Sequence, residues 1–377
     1  MSRLLATAHR LLRAGYAPPP APALDVRCRW PDGRTTTAAN ASQSRWLQER
    51  IAGGVTALCP TYVGSMPLDE QRATVGHLAR RFAAAVRETG TGPGLFIVGM
   101  QWQPGEEQEA MARLNDLLDT ARAHGDCVGL TLRGPGKIRT INAALELASH
   151  GRPRGWLWFD DDVRLQPDAL RQILARFAER GFTGAVGATC RPTRTPRLGP
   201  ALLARGKRLT APVQQYPHAC CMVVAADVLR GGIPDRFISD DGYVLHRLLD
   251  RRAARPLTAL EVIPSAVCEF RARPTMLGVL RTQHRLVYCH LTTVAEMPLD
   301  TATFYLRRML FADLFAGRRP GVSVHRTALT RVLKAGHCAW VGVVAASLIV
   351  RGAIGRPLTH VPWGRGIGGA HVPDLSR

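Results

Sequence analysis

The sequence predicts an α/β fold built on a mostly parallel central sheet with helices on both faces. Three observations lead there. From Val55 to Leu147, short apolar runs alternate three times with longer helical patterns, and such alternation pairs strands in parallel because each crossover returns the chain to the same end of the sheet. Trp156 to Phe159 is short, bulky and free of helical polar spacing, as a central strand should be. That strand runs straight into Asp160, Asp161 and Asp162, which places carboxylates at the sheet edge where open α/β folds bind ligands.

Leu4, Leu5, Leu11 and Leu12 are interrupted by His9, Arg10 and Arg13, which is the spacing of a short basic amphipathic helix rather than of a signal peptide. Such a helix fits an anionic membrane surface, and it fits the protein's own body equally well. Pro18 to Pro22 reads as a linker, Leu24 to Trp30 as a small strand and Ser42 to Ile51 as a helix. Residues 1–52 are together expected to form a loosely attached, partly flexible extension. The core is expected over residues 53–290. It opens with the strand Val55 to Tyr62, which Pro60 is expected to break, followed by a helix from Leu68 to Arg87, a strand from Gly94 to Val98 and a helix from Glu106 to His124. A strand at Cys127 to Leu132 and a helix at Gly136 to Leu147 complete the series before the acidic strand arrives.

Pro167 followed by Ala169, Leu170, Ile173, Leu174 and Phe177 predicts a helix just beyond the acids. Further strands are expected at Gly184 to Cys190 and Cys220 to Val224, with a Pro- and Arg-rich, substrate-facing loop from Arg191 to Pro217 between them. A helix at Ala226 to Arg230, another ending near Leu248, a strand at Leu260 to Ile263 and mixed structure to His290 follow. Residues 291–377 read as a helical carboxyl-terminal region. Its segment Ala335 to Val350 is apolar except for His337 and Ser347. Sixteen helical residues span roughly 24 Å, short of a hydrocarbon core of about 30 Å, so an interfacial or packed helix is expected there rather than a spanning one.

The formal charge is +21, but the basic residues are scattered along the chain with no arginine-rich block. No nucleic-acid partner is expected on that pattern. Attraction to anionic nucleotides or lipid headgroups is the smaller consequence. The nine cysteines include no Cys-x-x-Cys pair, which argues against a disulfide framework and a zinc site and for buried thiols in a cytoplasmic protein. The expected location is cytoplasmic, extending to peripheral contact with the cytoplasmic face of a membrane.

Asp160 and Asp162, one residue apart in an extended segment, point to the same side and can share a divalent cation, whereas Asp161 faces the other way. Hard oxygen ligands suit Mg²⁺ or Mn²⁺, and that in turn suits a diphosphate. A solvated acidic turn that caps the next helix is the alternative for this stretch.

The order of elements and the residues at their ends resemble family-2 inverting glycosyltransferases of the GT-A fold, from Val55 to about Tyr288. Cys59-Pro60-Thr61-Tyr62 is similar to the family's nucleotide-binding strand end. Gly136-Lys137 through Asn142 to Leu145 resembles its Gly-Lys…Leu-Asn…Leu helix, and Asp160-Asp161-Asp162 resembles its Asp-x-Asp metal motif. Ser239-Asp240-Asp241 stands where the family has Glu-Asp before the catalytic step. The resemblance implies donor or nucleotide binding by Pro60, Thr61, Tyr62, Lys137, Asp160 and Arg285, a Mg²⁺ or Mn²⁺ ion on Asp160 and Asp162, and catalysis by Asp241 with Asp240 beside it. Two departures stand out. The second strand, Ile97 to Trp102, lacks the family's base-reading acid, and Thr282-Gln283-His284-Arg285-Leu286 is only a remnant of the Gln-x-x-Arg-Trp motif of processive synthases.

The implied reaction is metal-dependent, inverting transfer of one sugar from a nucleotide-sugar donor to a hydroxyl on an unidentified glycan, lipid or small-molecule acceptor. A catalytically degenerate scaffold with the same fold is one alternative. A sugar nucleotidyltransferase is the other, although Thr61 to Ser65 supplies only one glycine for a pyrophosphate loop. Adjacent carboxylates raise one another's proton affinity, so activity is expected to fall in mild acid.

Overall fold

The computed structural model describes residues 2–17, 25–134, 136–193, 216–253, 256–271, 275–307 and 324–359. The linker expected at Pro18 to Pro22 and most of the loop expected from Arg191 to Pro217 lie outside them. In chain order the strands are β1 (Tyr16–Ala17), β2 (Val26–Arg29), β3 (Thr35–Thr36), β4 (Val55–Tyr62), β5 (Gly94–Trp102), β6 (Cys127–Arg133), β7 (Gly155–Phe159), β8 (Val163–Leu165), β9 (Ala185–Pro192), β10 (Cys221–Ala225), β11 (Leu260–Phe270) and β12 (Leu358–Thr359). The helices are α1 (Ser2–Ala14), α2 (Ala41–Ile51), α3 (Leu68–Thr89), α4 (Glu107–Arg122), α5 (Lys137–Leu147), α6 (Ala169–Glu179), α7 (Asp240–Leu248), α8 (Met276–Glu296), α9 (Leu299–Tyr305) and α10 (Val324–Ala353).

One ten-stranded sheet runs in the order β3-β2-β6-β5-β4-β7-β10-β9-β11-β8. Its centre, β6-β5-β4-β7, is parallel. β10 is antiparallel to both β7 and β9, β11 is parallel to β9, and β8 closes that edge antiparallel to β11. This is the fold class expected from the sequence. Both faces are covered. Phe96 meets Phe82 of α3, while Gln101, an odd number of residues along the same strand, bonds Thr140 of α5 from the opposite face. α4 and α6 flank α3.

Where structure and sequence differ, pairing explains the difference. β4 continues through Pro60 because β7 pairs it only as far as Leu58, which leaves the far part of that side with no neighbour requiring a donor. β8 intervenes between the acids and α6, so Asp161 and Asp162 form a turn between two strands and not an extended run. β11 is longer than expected because it pairs β9 through to Phe270 while its end, Cys268 to Phe270, also pairs β8 on the other edge, with the register against β9 slipping between Ile263 and Val267, around Pro264. Ala226–Leu229 is a 3-10 turn, and the stretch expected as mixed structure is largely the 21-residue helix α8. The extension expected to be loose gives the sheet an edge, with β2 antiparallel to β6, and it buries Trp30, Leu47 and Ile51.

The carboxyl-terminal helix is also longer than its apolar segment suggested. α10 has 30 residues, and Ala335–Ala353 within it is long and apolar enough to cross a bilayer by length and composition. Its Val341, Val344 and Leu348 are buried, and it packs on α1 and α8. The β1–β12 pair ties its end to the end of α1.

Gly99 of β5 shows how closely α5 is seated. A Cβ there would lie 2.1 Å from Thr140 Cγ2, so Gly99→Ala is expected to destabilise the protein by about 1–3 kcal/mol through overpacking. Urea unfolding of Gly99→Ala, Thr140→Ser and the double variant tests this. Serine removes the clashing methyl, so the double variant should recover most of the loss.

Candidate active site

The carboxyl ends of β4 to β7 gather the residues singled out from the sequence. β7 ends at Phe159 opposite Cys221, the first residue of antiparallel β10, and the Asp160 N–H donates to the Cys220 carbonyl at 3.3 Å. The acidic turn is therefore pinned to the sheet at its first residue. Asp161 is held as well, since Thr61 Oγ1 at the end of β4 donates to its Oδ2 at 2.7 Å. Buried Gln71 of α3 places its amide within reach of Thr61 Oγ1, the Tyr62 carbonyl and Ser65 Oγ at 2.9–3.0 Å. Asp161, which alternation had turned away from the site, thus couples the acidic turn to the end of β4.

Lys137 is the centre of the arrangement. It is the first residue of α5 and its side chain is 9% exposed. Its Nζ lies 2.6 Å from Asp160 Oδ1 and 3.0 Å from Asp240 Oδ2, and it donates to the Ala219 carbonyl at 3.2 Å. Burial disfavours the ammonium, but Asp160 and Asp240 outweigh it and hold its pKa above the usual lysine range. The charge implied to face a diphosphate here ties two carboxylates together.

Asp240 and Asp241 begin α7, with Ser239 as its N-cap and the Gly242 N–H donating to Ser239 Oγ at 3.0 Å. Their environments separate them. Asp240 is 3% exposed, and burial pushes its pKa up to about 6 against the pull of Lys137. Asp241 is half-buried and takes the Ser239 hydroxyl and, at 2.8 Å, the Gly242 N–H on Oδ1. Burial opposes its ionisation, yet His218, the Ser239 hydroxyl and His290 outweigh burial and hold it below the usual range. Burial lowers the pKa of His218 itself despite Asp241. That imidazole is therefore mostly neutral at neutral pH, and the Ser239 hydroxyl, which needs no protonated partner, is the cause that persists there.

The remaining residues fall around this group. Pro60 sits inside β4, opposite Gly99. Tyr62 donates its hydroxyl to Glu106 Oε2 at 2.8 Å, and the Gln103 N–H donates to the same oxygen. Glu106 lies in the turn just after the second strand. Arg285 of α8 is within electrostatic range of Asp160 and Asp162, although burial lowers its pKa. Asn142, on the same helix as Lys137, clamps the backbone that leads to Asp240. Its Nδ2 donates to the Ile233 carbonyl and its Oδ1 accepts from the Ile233 N–H, both at 2.8 Å. Sequence reasoning placed Asn142 in a motif without this role. It missed Gln71, Glu106, His218 and His290 as site neighbours, because each reaches the site only through the fold.

Among the described residues no three His, Cys, Asp or Glu side chains are grouped as metal ligands. The donor set nonetheless fits Mg²⁺ or Mn²⁺, which bind through one or two carboxylates and complete their shells with water and substrate phosphate. The acidic turn offers Asp160 and Asp162, both half-buried at the sheet edge.

No family model matches the chain, and no curated protein matches it. Three solved structures illustrate what it is similar to. Residues 1–349 of S. aureus TarS in complex with UDP-GlcNAc align with 80% of this chain and 90% of that chain at 10% identity and a TM-score of 0.43. Glucosyl-3-phosphoglycerate synthase from Mycobacterium tuberculosis, in complex with Mn²⁺, UDP and phosphoglyceric acid, aligns with 69% and 84% at 15% identity and a TM-score of 0.40. Mannosyl-3-phosphoglycerate synthase from Rubrobacter xylanophilus aligns with 72% and 85% at 16% identity and a TM-score of 0.35. Superpositions this loose carry no chemistry, which rests on the residues of the chain itself.

Proposed function

We propose that the chain is a nucleotide-sugar-dependent glycosyltransferase that moves one sugar, with inversion, to an acceptor hydroxyl. The observation that carries this reading is the convergence at one sheet edge of the Asp160–Asp162 turn, buried Lys137 and the Asp240–Asp241 pair. Asp160 and Asp162 are the residues that would hold Mg²⁺ or Mn²⁺. The ion supplies Lewis-acid neutralisation of the charge that develops on a departing diphosphate. Lys137 holds Asp160 through its Oδ1, and Arg285 adds positive charge within electrostatic range of Asp160 and Asp162. Tyr62, the last residue of β4, and Glu106, which accepts its hydroxyl, would meet the nucleoside. Asp241 takes the proton of the attacking hydroxyl as its oxygen approaches the anomeric carbon. Attack from the face opposite the leaving diphosphate turns an α-linked donor into a β-linked product.

A thermal-shift screen of nucleotide sugars with Mn²⁺ or Mg²⁺ tests the reading, because a ligand that binds only the folded chain raises the melting temperature by mass action. One donor is expected to give a shift that needs the cation. Asp162→Asn should abolish the cation-dependent part, since an amide lacks the charge a hard cation prefers. Equal Mn²⁺ and donor affinity for Asp162→Asn and the parent in calorimetry would remove Asp162 from the metal site.

A further inference from the structure

We propose that α1, α8 and α10 form one docking surface for an anionic lipid bilayer. Every large hydrophobic side chain that is exposed among the described residues lies on these three helices or at Ile354, just past the end of α10. Leu4 is 78% exposed, Leu277 56% and Val343 61%. Confinement of this kind is not how a monomer scatters its surface apolar residues, and a contiguous apolar patch marks a contact surface. The helices pack on one another as a layer. Along α10, Val341, Val344 and Leu348 are buried in that layer, while Trp340, Val343 and Val350 are exposed on its outer side. Trp340 also meets the His284 ring of α8 at 5.8 Å, which joins the two helices at the exposed edge. Tryptophan favours the headgroup level of a bilayer.

Charge decides the occupant. α1, α8 and α10 carry three, two and four Arg or Lys residues, and their single carboxylate is Glu296. Glu296 is buried and ion-paired to Arg13 and Arg236, so it offers no negative charge outward. Arg3, Arg10 and Arg281 are exposed among the leucines. A surface of apolar side chains interleaved with cations complements acyl chains beneath anionic headgroups. A second copy fits it poorly, because a two-fold contact would bring these cations face to face. A spanning α10 fits poorly as well, since α1, with Arg3, Arg10 and Arg13, is packed along it.

One helix of the surface also reaches the candidate active site. α8 exposes Leu277 and Leu280 near its start, and farther along it brings Arg285 towards Asp160 and Asp162 and His290 towards Asp241. Leu280 and His290 are ten residues apart, roughly 15 Å along the helix. An acceptor hydroxyl carried on a lipid headgroup would therefore be presented beside Asp241. This second step rests on the transferase reading, whereas the docking surface does not.

Co-sedimentation of the full chain with phosphatidylcholine vesicles, with and without phosphatidylglycerol, tests the surface. Binding to the anionic vesicles is expected to be at least about tenfold tighter than to the neutral ones and to weaken as salt is raised. Leu277→Glu with Val343→Glu should abolish it, and Arg3→Glu with Arg281→Glu should weaken it, all without a change in melting temperature because these positions are exposed. The proposal is overturned if the folded parent ignores anionic vesicles, or if neither variant alters binding. It is overturned equally by concentration-dependent dimerisation that the variants abolish, or by resistance of vesicle-bound protein to carbonate extraction. Vesicle binding without turnover of any nucleotide sugar would leave the surface standing and remove the transferase reading alone.

Discussion

Lys137→Met is expected to cost about 3–5 kcal/mol of folding stability, because it leaves two carboxylates without the cation that pairs them. Asp160 Oδ1 and Asp240 Oδ2 both lie within 3.0 Å of Lys137 Nζ, and Asp240 is almost fully buried. Methionine fills the volume but removes the charge. Stability should then depend steeply on pH, with a sign fixed by Asp240. Burial raises its folded-state pKa to about 6 from an ordinary 3.8. The folded state thus binds this proton more tightly than the unfolded one, and stability falls as pH rises through the window between those values. Removing Lys137 pushes the folded pKa higher still and widens the window. In melts at pH 5, 6.5 and 8, the deficit of Lys137→Met relative to the parent should therefore shrink towards acid. A deficit that is constant across that range, or that grows in acid, would mean that Asp240 is not the group left exposed to the loss.

The sequence made the sheet legible and the contacts between distant residues illegible. β4 to β7 announce themselves as apolar runs because they are buried on both faces, and their carboxyl ends carry Thr61, Lys137 and Asp160. The antiparallel return of β10 was readable only as another apolar run. Nothing local says that Asp160 bonds the Cys220 carbonyl. Lys137 at the start of a helix reads as a solvated lysine until topology brings it to Asp160 and Asp240, which lie 23 and 103 positions away in the sequence. α8 escaped detection for a different reason. Its first half exposes Leu277 and Leu280, while Val287 to Cys289 and Leu291 to Ala295 are buried nearly all round. No single apolar stripe runs its length, so periodicity is a weak guide to it. The acids misled for want of three residues, because strand β8 turns an apparent extended run into a turn and spoils the alternation argument for Asp161.

Asp241→Asn is expected to preserve nucleotide-sugar affinity while lowering turnover by at least about a hundredfold, because a general base acts on the acceptor and leaves donor contacts alone. The two carboxylates at the start of α7 divide the work. Asp240 is buried against Lys137 and has no open side from which to meet an acceptor, whereas Asp241 is half-buried and is kept ionised by the Ser239 hydroxyl and its neighbours. The acid limb of the pH–rate profile should accordingly belong to Asp240. As pH falls through about 6, Asp240 takes up a proton and loses its pairing with Lys137, while Asp241 is still charged. Mild acid should thus depress activity through the neighbour of the base, not through the base. Ser239→Ala separates the two. Without the hydroxyl, Asp241 loses a bond to its charged form and its pKa rises, yet the acid limb, set by Asp240, should stay in place with donor affinity unchanged; a limb that moves upward in pH would assign it to Asp241 instead. If Asp241→Asn keeps near-parental turnover while Asp240→Asn is inactive, the base is the buried residue and must be uncovered during the reaction. If both variants stay active, transfer with Asp241 as base is excluded.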